Sequence, residues 1–298
     1  MIDSTIKTNF LDLFHHDLND IELENSNKLN LFTLKVKNNA FAYDELTENL
    51  GNILHSFALS RTKVALLLKE NKLGTLISRA KEKLRNYNVN DGELGEILLY
   101  CLLESHLNAP KILTKLELKT APNDYVKGAD GVHLLKLTDS DYQLVLGESK
   151  MHSDLKDGIY EAFGSIKKLL TDNAGKLSFE VDLVNSQLIK EVFDENQYEI
   201  VKKILVPSAR EDENYLDYSF GIFLGYDVSI SDEDKKLSNS DFRSKIREQI
   251  KTEIQNVVSS LNTQIKKTDF NGYNFYVYVI PFSDIKNKRK EIIKEIVS

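Results

Sequence analysis

The stretch from Gly128 to Lys150, GADGVHLLKLTDSDYQLVLGESK, limits the fold more than any other part of the chain. From Tyr142 to Lys150 the residues alternate as a strand requires. Tyr142, Leu144, Leu146, Glu148 and Lys150 fall on one face, and Gln143, Val145, Gly147 and Ser149 on the other. Val132 to Leu137 reads as a partner strand, and Thr138-Asp139-Ser140-Asp141 between them is polar turn chemistry. The spacing therefore predicts a hairpin that carries Asp130 to the side of Glu148. Three apolar residues precede Glu148 in its row, so an acid and a lysine arrive at the end of a buried face. Charges are costly there unless paired or metal-bound.

Two carboxylates and a lysine at one strand end suit phosphodiester hydrolysis. Carboxylates are hard oxygen ligands for magnesium, which keeps several waters and completes its octahedron with substrate phosphate. Such a metal polarises the phosphoryl group and acidifies bound water. A lysine two residues past the acid adds positive charge where the transition state gathers negative charge. The same residues also suit a plain Glu148–Lys150 ion pair at a sheet rim, with Asp130 capping a turn. Charged residues make up 29% of the chain, so the pattern alone leaves both open.

Length and composition narrow the classes. A chain of 298 residues, 41% hydrophobic, can bury a sizeable core in one large domain or two small ones. The opening Met1-Ile2-Asp3-Ser4 has neither a basic n-region nor an apolar h-region, and no run approaches membrane-spanning length, so a cytoplasmic protein without a membrane partner is expected. The single Cys101 rules out an internal disulfide framework and any thiolate zinc cluster, and the six histidines are scattered. No glycine-rich phosphate loop calls for a small-molecule cofactor. The net charge of -7 argues against strong autonomous DNA binding, which rests on basic side chains displacing phosphate counterions.

Along the chain, Leu29 to Val36 reads as a strand and Asp44 to Tyr87 as helical, with leucine stripes that suit a core. Asn90 is placed as a helix cap with Glu93 at the capping-box position. Glu96 leads into Ile97-Leu98-Leu99-Tyr100-Cys101-Leu102-Leu103, apolar nearly all round and hence buried, which makes it either a first-turn dipole partner or a member of a site. His106 near that helix's end is assigned to its dipole. Lys111 to Lys119 reads as a strand whose odd face, with Lys111, Lys115 and Lys119, is either solvated or tracks a phosphate backbone. Leu155 to Leu170 is an amphipathic helix, Tyr198 to Val206 and Tyr218 to Val228 are strands, Ser240 to Lys266 is a long helix, Tyr273 to Phe282 a strand, and Asp284 to Val297 a basic amphipathic helix. The fold class expected is α/β, a central mixed sheet flanked by helices. Residues 1–88 form an N-terminal strand and helical elaboration, and 89–298 the core.

The order of a helix bearing Glu96, a strand, the Asp130 hairpin, Glu148-Ser149-Lys150 and an amphipathic helix resembles the core of the PD-(D/E)xK nuclease superfamily, with Ala129 where that pattern has proline. The segments GELGEIL at 92–98, KLELK at 115–119, GADGVH at 128–133 and GESK at 147–150 are similar to the HamA family of the Hachiman anti-phage system. That resemblance implies a magnesium-dependent DNA nuclease, with manganese as a substitute, acting with a HamB-like helicase. It assigns Glu96, Asp130 and Glu148 to the acidic metal site and Lys150 to the catalytic lysine. A helicase that brings the DNA would also reconcile nuclease chemistry with an acidic chain. The competing functions are a self-contained restriction-type endonuclease and a non-catalytic helicase-docking adaptor.

Overall fold

A computed structural model describes residues 3–6, 8–84, 92–114, 116, 128–171, 195–206, 209 and 214–298. Its centre is a seven-stranded mixed sheet in the order β1-β2-β9-β8-β7-β6-β5. The strands are β1 (Phe14–Glu22), β2 (Lys28–Leu34), β5 (Lys111–Thr114), β6 (Gly131–Lys136), β7 (Asp141–Met151), β8 (Tyr215–Asp227) and β9 (Asn274–Phe282); β3 (Val36–Lys37) and β4 (Ala40–Phe41) form a separate small ribbon. The four middle strands β2, β9, β8 and β7 run parallel, whereas β1, β6 and β5 pair antiparallel at the edges. Parallel strands are covered on both faces, and that is why β8 and β9 read as near-continuous apolar runs: Phe220, Ile222, Phe223 and Leu224 are all buried, as are Val277, Tyr278, Val279 and Ile280.

The helices are α1 (Tyr43–Ala58), α2 (Arg61–Lys69), α3 (Leu73–Lys83), α4 (Glu93–Ser105), α5 (Leu155–Thr171), α6 (Glu195–Leu205), α7 (Asp232–Lys235), α8 (Asn239–Ile265) and α9 (Ile285–Val297). Helix α4 lies on one face of the sheet, with α1 and α9 beside it; α5 covers the other face, with α8 packed on it. The expected α/β architecture with flanking helices is what the chain adopts. No helix among the described residues is long and apolar enough to cross a membrane.

Helix α4 approaches the sheet closely because two glycines make room for it. A Cβ on Gly221 would sit 2.9 Å from Leu103 Cδ2, and one on Gly147 would sit 3.0 Å from Leu99 Cδ2 and 3.3 Å from the backbone N and O of Gly131. A leucine tip can move, but a paired backbone cannot. Gly147→Ala is therefore expected to destabilise by about 1–3 kcal/mol and to push β6 from β7 at the point where Asp130 is anchored. A melting temperature unchanged from wild type would contradict this account of the packing.

Three sequence expectations are corrected. Tyr198 to Val206 is not a strand: Tyr198, Val201, Ile204 and Leu205 sit at helical spacing and pack inward from α6, with Val201, Ile204 and Leu205 buried. The short apolar run satisfied an alternating pattern, but its buried residues follow the 3.6 period. Lys111 does not face solvent or a phosphate backbone. It is fully buried, and its Nζ donates to the Ser56 and Leu59 carbonyls at 2.9 Å each, closing the C-terminal end of α1 with a cation. Strand β5 ends at Thr114, and Lys115 and Lys119 lie outside the described residues, as does the cap assigned to Asn90. Helix α4 begins at Glu93, which is buried in its first turn rather than placed at the third helical position.

Candidate functional site

The hairpin forms as its sequence requires. β6 and β7 pair antiparallel from Val132↔Leu146 to Lys136↔Tyr142, and the polar turn is closed by Thr138 Oγ1 donating to Asp141 at 2.6 Å. Continuing the ladder, Asp130 N–H donates to the Gly147 carbonyl at 2.9 Å. The Asp130 carboxylate then accepts from both the backbone N–H and the hydroxyl of Ser149, each at 2.8 Å. Asp130 is thus fixed against the strand that carries Glu148 and Lys150. Sequence reasoning gave Ser149 no role; its place between the acid and the lysine was visible, but its partner was not.

The alternation of β7 sorts the site into two faces. Gly147, Ser149 and Met151 point toward α4, since Cβ atoms built on Gly95 and Gly147 meet Ser149 and Leu99. Glu148 and Lys150 point toward α5, where Ser165 hydrogen-bonds the Glu148 carboxylate. Lys150 Nζ pairs directly with Glu148 Oε1. Glu96, half-buried in the first turn of α4, lines a small pocket together with Asp130, Gly131, His133 and Gly147. The structure therefore brings Asp130 and Glu148 into electrostatic contact and puts Glu96 beside Asp130, on the opposite face from Glu148. No three carboxylate, imidazole or thiol groups among the described residues are gathered into a ready metal cluster.

The electrostatics follow from this placement. Burial, and after it the charge of Asp130, push the Glu148 carboxyl up to about 7, against the opposing pull of Lys150 and Ser165. Burial alone would lower Lys150, but the charges of Glu148, Asp130 and Glu161 outweigh it and hold the ammonium above its usual range. A raised carboxyl makes stability pH-dependent. The folded form holds its proton more tightly than the free value of 4.5, so this contribution is complete below that pH and is lost as pH rises through about 7. Glu148→Gln is expected to remove that decline. Melting temperatures recorded from pH 5 to pH 8.5 check it, and parallel curves for the two proteins would refute it.

Two histidines, His133 and His106, are structural. His133 is fully buried, donates from Nδ1 to the Ala109 carbonyl at 2.8 Å, and is pushed down to about 4 by burial. His106 is not the dipole cation expected at the end of α4. Burial lowers its pKa, and it packs edge-on against His16, Phe32 and Tyr278, with Nδ1 3.3 Å from the tyrosine hydroxyl. Another buried acid escaped the sequence altogether: Glu104, two turns beyond Glu96 on α4, pairs with Arg61 at 3.1 Å.

An α/β protein with a mixed central sheet, holding an acid pair and a lysine at the ends of adjacent strands, is the class that fold and site define. A HamA family model matches residues 8–296, and the chain belongs to that family, whose place is in Hachiman anti-phage defence. No curated protein matches it.

Proposed function

We propose that this protein is the metal-dependent DNA nuclease of its defence system, built on a PD-(D/E)xK-like core. The observation that supports this best is the placement of Asp130, Glu148 and Lys150. Two repelling carboxylates and an ammonium sit at the ends of paired strands, with the Lys150 and Glu148 side chains keeping 22% and 14% of their accessible surface. The donor set is all oxygen, which fits magnesium or manganese and not zinc. Asp130 and Glu148 would hold the ion, with Glu96 acting from the Asp130 side of the pocket; the bound metal would supply Lewis acidity and an acidified water.

The protein's own residues then have distinct tasks. Ser149 and the strand ladder hold Asp130 in place, so its carboxylate does not have to be ordered when substrate arrives. Ser165 orients Glu148. Lys150, which pairs with Glu148, would place its ammonium against the non-bridging oxygens of the phosphate, where negative charge accumulates. The net charge of -7 supports a division of labour in which a helicase partner of the HamB type delivers DNA that this chain alone binds weakly.

The test is cleavage of plasmid and linear DNA, single- and double-stranded, by the protein with and without its system partner, in magnesium, manganese or chelator. Cleavage that needs the divalent ion is expected. DNA left intact in every combination would defeat the nuclease reading and favour a helicase-docking adaptor.

A further inference from the structure

We propose that His152, held by Glu161, is a phosphate-contacting residue of this site that grips the phosphate next to the one attacked; this rests on the nuclease reading above. The even row of β7 runs Glu148, Lys150 and then His152, one residue beyond the strand's last pair but still tied to the sheet, with His152 N–H donating to the Gly225 carbonyl at 3.0 Å. Side chains two apart on one strand face are separated by roughly 6.7 Å, about the separation of neighbouring phosphates along a nucleic-acid strand. If Lys150 meets the reacting phosphate, His152 is in step with the next one.

The surroundings of His152 favour such a contact. Its Nε2 lies 3.0 Å from Glu161 Oε2, and the imidazole is about one-third exposed, its side chain keeping 32% of its accessible surface. The first turns of α5 lie against the ring, a Cβ built on Gly158 being in ordinary contact with the Cβ and Cδ2 of His152 at 3.8 and 4.0 Å. Nδ1 has no partner among the described residues. With both ring nitrogens protonated, Nε2–H is donated to Glu161 and Nδ1–H is left for an anion. Glu161 does not itself reach substrate in this arrangement. It is a positioning residue, fixing the ring as second-layer carboxylates fix functional histidines elsewhere.

The test compares wild type with His152→Ala, His152→Gln and Glu161→Gln, as the full chain with its system partner. Steady-state cleavage of a short oligonucleotide in magnesium is combined with binding of the same oligonucleotide in chelator across a salt series. His152→Ala is expected to raise KM and the chelator Kd about tenfold, to leave kcat within about threefold, and to reduce the salt slope of log Kd by about one. His152→Gln, which keeps a neutral donor, should recover part of the affinity but not the slope, and Glu161→Gln should fall between. If His152→Ala lowers the melting temperature while KM, Kd and slope stay at wild-type values, the pair only pins α5 to the strand and the inference is overturned. If wild type fails to cleave in any condition, the nuclease reading falls, and an unaltered Kd and slope in chelator would overturn the contact independently.

Discussion

Asp130→Ala and Glu148→Ala are each expected to abolish cleavage, with a loss on the order of 10³-fold or more, and to lose divalent-ion binding with it. The two carboxylates sit close enough for one to raise the pKa of the other, so in the ion-free protein they oppose each other and removing either relieves repulsion. Both variants should therefore remain folded while calorimetric magnesium titration shows no binding. Lys150→Ala separates the roles. It leaves both oxygen ligands, so metal still binds, but the charge meant for the transition state is gone and the rate falls by about 10²-fold or more. Glu96→Ala is expected to reduce activity with a smaller loss of metal affinity, because Glu96 reaches the site only through the Asp130 pocket. Wild-type cleavage by Lys150→Ala, or unfolding of every variant, would mean that these groups form a structural charge cluster and nothing more.

The site was legible in the sequence to the extent that it depends on local geometry. Period-2 alternation put Glu148 and Lys150 on one face, and turn chemistry at 138–141 fixed the register that brings Asp130 to Ser149. Both are short-range properties. Which sheet face a helix covers is not. Glu96 could be recognised as an acid at the mouth of a buried helix, yet only the packing of α4 on Gly147 and Gly221 shows that it lines a pocket with Asp130 on the face opposite Glu148. Ser165 and the His152–Glu161 pair were missed for the same reason, since their partners lie on another element.

The errors have physical causes as well. Lys111 reads as an exposed lysine because lysines are mostly exposed, but one that caps the end of α1 can be buried whole. Tyr198 to Val206 is short enough for both periods to fit, and burial of Val201, Ile204 and Leu205 decides for the helix. The long helix α8 presented no such ambiguity: Phe242, Ile246, Ile250, Ile254, Val257, Leu261 and Ile265 are all buried, as their spacing demanded over seven turns.

The largest effect on stability is expected at Glu104, a residue the sequence hid inside the apolar helix α4. Its carboxylate is fully buried and serves as acceptor for groups from three parts of the chain. Oε1 takes the Lys111 N–H at 2.8 Å and the Arg61 guanidinium at 3.1 Å; Oε2 takes the Ile6 N–H at 2.9 Å, the Thr5 hydroxyl at 2.6 Å and the Thr5 N–H. One side chain thus ties the N-terminal segment, α2 and β5 to the helix that carries Glu96. Glu104→Leu orphans three backbone donors and leaves the buried Arg61 without its counter-charge, an effect of about 3–5 kcal/mol. For a chain of this size that lowers the melting temperature by roughly 6–20 °C. Arg61→Leu should cost clearly less. The carboxylate it strips of one partner keeps its backbone N–H donors and the Thr5 hydroxyl, and hydrogen bonds to a charged acceptor are the strong ones. Thermal or urea melts of the two variants decide the matter: if Arg61→Leu is the more damaging, the ion pair rather than the backbone acceptor holds this corner of the fold, and if Glu104→Leu melts with wild type, neither does.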